Sequence, residues 1–289
     1  MAVNHPDVAY HPRLVDPAGE RVDQSKDFGL TMIIDKGIGL ASFEEFLQLA
    51  GQYVNYIKLG FGTTILYPPE ILRKKLFLAQ ESGVALYPGG TLFEIAYYQG
   101  VLKNYLDSIE KLGFSYMEIS DGTIDLPTSE RHNMIREITA RGFTVITECG
   151  KKAGGSHLSV EDLQKTLYSD LEHGASYVIV EGRESGTNVG IYDKKGRIDT
   201  EFLLAVEQAI PADVRKRLIW EAPQKNQQIE LLYFWGRNVN MGNIQFEDAY
   251  NLECLRRGLR FDTFILGRES SAIQADCLTD YKNTGHIIL

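Results

Sequence analysis

The stretch Tyr177-Val178-Ile179-Val180-Glu181 is a short apolar run, rich in β-branched residues, that ends in a glutamate. Similar runs end at Asp121, Glu148 and Glu221. Nearly continuous apolar character is typical of a strand buried on both faces of a parallel sheet. A carboxylate at the end of such a strand is costly unless a cation, a metal or hydrogen bonds compensate it. One shared polar site is therefore indicated by the glutamates of these four runs, Glu118, Glu148, Glu181 and Glu221.

Strand candidates of this kind recur along the chain, with amphipathic helical stretches between most of them. The eight candidates are 29–34, 54–59, 83–88, 115–120, 143–148, 176–181, 217–221 and 238–244. Alternating strands and helices predict parallel strands joined by right-handed crossovers. Eight units in 289 residues predict an α/β fold that is a single (β/α)8 TIM barrel. A doubly wound open sheet is the alternative, but Asp35-Lys36-Gly37-Ile38-Gly39 lacks the G-x-G-x-x-G phosphate turn.

The segments between and beyond the strands set the expected organisation. Helices are predicted at 42–52, 69–82, 92–112, 128–141, 159–173, 200–209, 227–235 and 246–258. We expect three parts: an N-terminal arm at 1–28, the barrel catalytic domain at 29–267 and a C-terminal tail at 268–289. The irregular segment 185–199 would lie over the barrel mouth, either as a lid or as a passive excursion.

The composition narrows the class of protein. The net charge of −9 argues against nucleic acid and anionic membranes as partners. Cys149, Cys254 and Cys277 lack metal-ligand spacing, and such an odd, sparse set suggests a reducing compartment. No apolar run has the length of a membrane span, and residues 1–28 lack the apolar core of a signal peptide. We therefore expect a cytoplasmic protein.

Cations occur at the same strand ends as the acids, and these ends converge at one face of a barrel. The residues that accompany the glutamates are Asp35, Lys36, Lys58, Lys151, Lys152, Arg183, Ser185 and Lys225. In addition, Gly89-Gly90-Thr91 precedes a helix and either cradles an anion or forms a simple tight turn. Hard oxygen ligands beside cations predict Mg²⁺ or Mn²⁺ next to an anionic substrate. Buried structural ion pairs are the alternative.

Proton chemistry falls to lysine or carboxylate, because the six histidines lie in predicted tails, helices or loops. Lys151 and Lys152 are adjacent, so only one is expected to face the substrate while the other pairs with a carboxylate. Crowding by other cations and a metal predicts a lowered pKa for this lysine, which suits a proton donor. A Schiff-base lysine is a competing use, but it requires an apolar pocket without metal.

The strand-end strings together resemble those of the phosphosulfolactate synthase family, in order over roughly 28–264. They include Lys58-Leu59-Gly60-Phe61-Gly62-Thr63, Tyr87-Pro88-Gly89-Gly90-Thr91, Glu148-Cys149-Gly150-Lys151-Lys152, Glu181-Gly182-Arg183-Glu184-Ser185 and Glu221-Ala222-Pro223-Gln224-Lys225. The resemblance implies a TIM barrel and a lyase-class synthase. Such an enzyme adds sulfite to phosphoenolpyruvate with Mg²⁺ as cofactor, forming a carbon–sulfur bond and giving (2R)-2-phospho-3-sulfolactate.

The resemblance also implies roles for individual residues. The catalytic set comprises Lys152, as proton donor to an enolate-like intermediate, with Lys58, Arg183, Lys36 and Asp35. Substrate binding is assigned to Gly89, Gly90, Thr91, Lys151, Ser185 and Lys225. Magnesium is assigned to Glu118 and Glu148, followed by Glu181 and Glu221.

The resemblance further implies a homo-oligomer whose product serves coenzyme M synthesis in methane-forming archaea or is itself an end product in other bacteria. Two alternatives stay open. One is a non-catalytic binding protein of the plant heat-stress-associated type, to which the resemblance extends. The other is a metal-dependent barrel enzyme that uses phosphoenolpyruvate or an enolate with another acceptor.

Overall fold

The computed structural model describes residues 10–22 and 27–264. Its strands are β1 Thr31–Asp35, β2 Tyr56–Leu59, β3 Ala85–Pro88, β4 Tyr116–Ile119, β5 Thr144–Cys149, β6 Ala175–Val180, β7 Leu218–Glu221 and β8 Met241–Ile244. They form one parallel sheet in the order β3-β2-β1-β8-β7-β6-β5-β4. The end strands β3 and β4 lie side by side, although no backbone ladder joins them within the described chain. The barrel is therefore nearly closed, and the predicted TIM-barrel fold is confirmed.

Helices follow the strands around the outside of the barrel. They are α1 Pro12–Val15, α2 Leu40–Ala50, α3 Pro69–Glu81, α4 Gly90–Tyr98, α5 Leu102–Leu112, α6 Thr128–Ala140, α7 Val160–Glu172, α8 Thr200–Ala209, α9 Ala212–Arg215, α10 Lys225–Trp235 and α11 Ala249–Arg257. The single helix predicted at 92–112 is wrong, because the chain turns at Gly100, which adopts a left-handed φ of 70°. This turn separates α4 from α5.

The strand pattern divides the side chains between the inside and the outside of the barrel, since successive residues point to opposite faces. The tyrosine Tyr56 on β2 meets the rings of Tyr87, Tyr116 and Tyr177 edge-on, with centroids 5.7–6.3 Å apart. These rings fill the interior at a lower level, and Lys58 lies two residues beyond Tyr56 on the same face. Burying each large ring contributes roughly 1.5–3 kcal/mol. An aromatic floor thus supports the charged residues above it.

The arm meets the barrel at the N-terminal ends of its strands. The Arg21 Nε donates to Glu253 Oε1 at 3.1 Å, and the Val22 N–H donates to Asn238 Oδ1 at 3.0 Å. The predicted tail 268–289 lies outside the described residues, as do 1–9 and 23–26 of the arm. The boundaries expected at 28 and 267 therefore stay predictions. Within the described chain, no helix is both long and apolar enough to cross a membrane.

The segment 185–199 packs against the barrel rather than standing away from it. The Tyr192 hydroxyl donates to the carbonyl of Glu221. Gln227 Nε2 donates to the carbonyls of Gly186 and Gly196 at 2.7 and 3.0 Å. Such anchoring at both ends and in the middle favours a fixed wall over a lid.

Candidate active site

The four predicted glutamates meet at the C-terminal ends of neighbouring strands. Glu118, Glu148, Glu181 and Glu221 are each no more than 2% exposed. Carboxylate oxygens of Glu148, Glu181 and Glu221 lie within 4.8 Å of one another. Glu118 stands beside this group, and its Oε1 accepts the Gly90 N–H at 2.8 Å. The structure therefore brings together all four residues that the sequence placed in one polar site.

Two lysines compensate part of this negative charge. Lys58 Nζ lies 2.7 Å from Glu221 Oε1 and 3.7 Å from Glu118 Oε2. Lys152 Nζ lies 3.0 Å from Glu148 Oε1. The ammonium groups are thus outnumbered by the buried carboxylates, which leaves room for a further cation.

The environment drives the glutamate pKa values apart. Burial raises the pKa of Glu118 to about 7, against the opposing charge of Lys58. Burial, followed by the negative charges of Glu148 and Glu221, raises the pKa of Glu181 well above its ordinary value. Although burial opposes it, the charges of Lys152 and Lys58 lower the pKa of Glu148 to about 2. Carboxylates with divergent pKa values in one cleft are typical of functional sites.

The pKa of Lys152 moves in the direction opposite to the one expected from the sequence. Burial alone would lower it, but the surrounding carboxylates, chiefly Glu148 and Glu181, raise it above the ordinary lysine value. The expectation assumed that cations would crowd this lysine, whereas the structure surrounds it with acids. These residues hold Lys152 as an ammonium ion.

The acid group fits a hard divalent cation. Glu148, Glu181 and Glu221 together offer three oxygen ligands from separate strands. The Oε2 atoms of Glu118 and Glu181 are buried and accept no hydrogen bond within the described residues. Unpartnered buried carboxylate oxygens are costly, and Mg²⁺ prefers such ligands. Glu118, expected among the first ligands, lies beside the group of three rather than in it.

The glycines Gly89 and Gly90 permit a close approach of α4 to the site. A Cβ at Gly90 would lie 2.5 Å from Ser120 Cβ and 2.7 Å from Glu118 Oε1, and one at Gly89 would lie 2.9 Å from the Leu59 carbonyl oxygen. Both glycines and Thr91 line a cavity of about 320 Å³ that also contains the four glutamates, Lys58, Lys152 and Arg183. The helix N-terminus therefore faces the site, although Glu118 already accepts the Gly90 N–H.

Other predicted site residues do not line this cavity, namely Asp35, Lys36, Lys151, Ser185 and Lys225. Asp35 is buried outside the barrel, where its carboxylate accepts from Lys75 Nζ at 2.7 Å and from the Tyr67 hydroxyl at 3.2 Å. The physical reason is strand alternation: Ile34 lines the cavity, so the next residue points to the helix layer. Lys36 is exposed at the surface.

The adjacent lysines diverge, as expected. Lys152 faces the cavity, whereas Lys151 Nζ donates to the carbonyls of Asp121 and Ile124 at 2.7 and 3.0 Å. Lys225 is exposed, and its Nζ lies 3.1 Å from Asp262 Oδ1.

Ser185 is exposed, and its backbone carbonyl accepts a hydrogen bond from Gln224 Nε2 at 2.6 Å. Ser185 lies in the loop after β6, and the alternation of side chains along a strand does not predict where a loop residue points.

Two polar residues outside the predicted site, Glu94 and Ser120, lie behind Lys152. Ser120 Oγ is 2.6 Å from Glu94 Oε1 and 2.7 Å from Glu148 Oε1. Lys152 Nζ lies 3.2 Å from Ser120 Oγ and 3.4 Å from Glu94 Oε1. The signal for Glu94 was its position as the charged residue in the apolar run Leu92-Phe93-Glu94-Ile95-Ala96.

An eight-stranded parallel barrel with acids and cations at the carboxyl ends of its strands is the arrangement of a TIM-barrel enzyme. The barrel superposes on 3-hexulose-6-phosphate synthase from Salmonella typhimurium with a TM-score of 0.52, covering 78% of this chain and 96% of that chain. The two sequences are 12% identical, so the likeness concerns the fold alone.

Residues 19–262 match the family model of (2R)-phospho-3-sulfolactate synthase (ComA). The phosphosulfolactate synthase of Methanocaldococcus jannaschii is 42% identical over 238 residues, which cover 82% of this chain and 94% of that protein. The phosphosulfolactate synthase of Bacillus subtilis is 36% identical over 249 residues, which cover 85% and 96% respectively. The chain belongs to the phosphosulfolactate synthase family, and the resemblance seen in the strand-end strings is confirmed.

Proposed function

We propose that this protein is a phosphosulfolactate synthase that adds sulfite to phosphoenolpyruvate, with Mg²⁺ as cofactor, and forms (2R)-2-phospho-3-sulfolactate. The observation that carries the proposal is the buried carboxylate group between Lys58 and Lys152 in a chain 42% identical to a phosphosulfolactate synthase. Making a carbon–sulfur bond in this way places the enzyme among the lyases.

Substrate binding is supported by the cations that face the cavity. Both proposed substrates are anions, and Arg183 lines the cavity without a hydrogen bond from its guanidinium to any described residue. A planar guanidinium binds phosphate and carboxylate oxygens in bidentate fashion. The N-terminus of α4 adds a positive partial charge on the opposite side. Together they offset the repulsion between two anions and the acidic group.

The chemistry requires a carbon–sulfur bond and one proton. The sulfur lone pair of sulfite attacks the methylene carbon of phosphoenolpyruvate, and the π electrons of the double bond move toward C2 and the substrate carboxylate. The carbon C2 then takes a proton, for which the ammonium of Lys152 is the donor. When bound, Mg²⁺ supplies positive charge beside the substrate carboxylate, where negative charge develops in the transition state. Glu148, Glu181 and Glu221 are the residues that would hold it.

Lys58 has a supporting electrostatic role. Its ammonium neutralises Glu221 and reduces the charge at Glu118, so that an anionic substrate can enter a site rich in carboxylates. A fixed charge in a buried site stabilises developing charge without the reorganisation that water requires.

The test is ³¹P NMR of the purified protein with phosphoenolpyruvate, sulfite and Mg²⁺, with EDTA and no-sulfite controls. We expect a new phosphomonoester signal that requires all three. Lys152→Gln should lower the rate about 10²–10⁴-fold, the usual contribution of a positioned acid. Lys165→Gln is the matched control, because Lys165 is exposed on α7 after the same strand. A phosphoenolpyruvate signal unchanged by folded wild-type protein, or an undiminished rate in Lys152→Gln, would contradict the proposal.

A further inference from the structure

Left-handed backbone conformations cluster at the cavity. Within residues 10–22 and 27–264, the non-glycine residues with positive φ are Phe61 (57°), Arg183 (58°), Asn188 (53°) and Asn243 (55°). Phe61, Arg183 and Asn243 line the cavity, whereas Asn188 does not. Residues other than glycine adopt this backbone conformation at a cost in free energy, and it persists mainly where function or packing requires it.

The side chain of Asn243 makes no hydrogen bond within residues 10–22 and 27–264. The residue is 3% exposed, and its Oδ1 is buried without a hydrogen bond within the described residues. Its backbone carbonyl accepts from Gln245 Nε2 at 3.3 Å, but no hydrogen bond of its amide nitrogen is seen in the described chain. A glycine would fit the backbone at lower cost, and an unpartnered buried amide is itself unfavourable. Within the described chain, the amide N–H is therefore available to donate to a bound ligand.

The position of Asn243 suits an anion. It lies on β8 between β7 and β1, where Gly242 is in register with Glu221 and Ile244 with Ile33. On the β1 side its neighbour in the cavity wall is the apolar Ile34, and Asp35 faces outward to Lys75. An anionic oxygen in the cavity can accept the amide N–H of Asn243, although Glu221 lies on the neighbouring strand.

We propose that Asn243 binds an anionic oxygen of a substrate through its amide and so helps to determine which oxyanion occupies the β8–β1 side of the cavity. This inference rests on the proposed function and deepens it. Phosphoenolpyruvate and sulfite share the oxyanion chemistry, so the two KM values identify which of them Asn243 contacts. A neutral amide recognises such an oxygen without adding a charge that would pair with the nearby acids.

The experiment compares steady-state kinetics of Asn243→Gly and Asn188→Gly with those of the wild type. Glycine retains the left-handed backbone in both variants, so both should fold with similar thermal midpoints. We expect Asn243→Gly to raise KM for one of the two substrates at least tenfold with little change in kcat, because uniform binding is lost. Asn188→Gly should leave both KM values unchanged. Unchanged KM values in Asn243→Gly would overturn the inference.

Asn243→Asp separates an anion contact from a metal contact. A carboxylate here repels an anionic substrate, so KM for the same substrate should rise further while the Mg²⁺ concentration for half-maximal rate stays constant. A tighter Mg²⁺ requirement with unchanged KM would assign the side chain to the metal and overturn the inference. Calorimetric titration of the wild type with phosphoenolpyruvate, without sulfite, and the wild-type rate test the proposed function separately. If the wild type shows neither binding nor turnover, the proposed function and the inference about Asn243 both fail. If the wild type turns over and Asn243→Gly keeps normal KM values, only the inference about Asn243 fails.

Discussion

The close approach of α4 to the site can be tested with two glycines that share one backbone conformation. Gly89 precedes α4 with φ −66° and ψ 156°, and Gly39 precedes α2 with φ −67° and ψ 160°. A Cβ at Gly39 would meet nothing within 4 Å, whereas one at Gly89 would lie 2.9 Å from the Leu59 carbonyl oxygen and 3.3 Å from Lys58 Cγ. Comparing Gly89→Ala with Gly39→Ala therefore cancels the local effect of the substitution on the helix start.

The magnitude follows from what must move. The Leu59 carbonyl accepts the Gly89 N–H at 2.9 Å, so the new methyl group displaces backbone rather than a flexible side-chain end. Forcing an extra methyl group into a packed interior costs about 1–3 kcal/mol. For chains of comparable size, each kcal/mol shifts the thermal midpoint by about 2–4 °C. Gly89→Ala should therefore unfold about 2–12 °C below Gly39→Ala.

The same displacement should also lower the catalytic rate, because the new methyl group would contact the aliphatic part of the Lys58 side chain. We expect kcat/KM to fall roughly tenfold or more in Gly89→Ala, since small misplacements of catalytic groups are costly. Differential scanning calorimetry and the ³¹P assay measure the two effects. Equal midpoints and equal kcat/KM in the two variants would refute the argument that α4 requires this close approach.

Three further outcomes are expected. Lys58→Met and Lys75→Met each leave a buried carboxylate unpaired, and each should lower the free energy of unfolding, measured in urea, by about 3–5 kcal/mol. Only Lys58→Met should abolish turnover, because the ion pair of Lys75 lies outside the barrel. Saturating Mg²⁺ should raise the wild-type thermal midpoint, by about 5–10 °C at one hundred times its Kd; an equal rise in Glu181→Gln would exclude Glu181 as a ligand. Burial raises the pKa of the Cys149 thiol to about 12, so at pH 8 it stays protonated; Ellman's reagent should modify it slowly until urea unfolds the chain, and rapid native labelling would contradict this burial.

The strands and the acid group could be predicted from the sequence because a buried strand carries its own signature. The run that ends at Glu181 needs only its apolar character to be recognised. Which face a strand-end residue occupies depends on how the strand sits in the sheet. Asp35 illustrates this, since Ile34 takes the inward position and the predicted site residue instead pairs with Lys75.

The missing parts of the site depend on contacts between distant segments. Lys151 was expected near the substrate, but the carbonyls of Asp121 and Ile124 draw it away. Glu94 and Ser120 meet only after α4 packs against β4. No local pattern encodes such pairings, although a glutamate inside an apolar helical run is a usable warning. The amide of Asn243 could be singled out only once its missing partners were visible.

The unladdered joint between β3 and β4 has a mechanical consequence. Across this joint, the Gly90 N–H donates to Glu118 and the Ser120 hydroxyl donates to Glu94. Side chains of the site therefore connect β3 and β4 where no backbone ladder joins them within the described chain. A change in the hydrogen bond between Glu118 and the Gly90 N–H therefore also changes the closure of the barrel between β3 and β4. A ligand that binds Glu118 would therefore also act on the joint between β3 and β4.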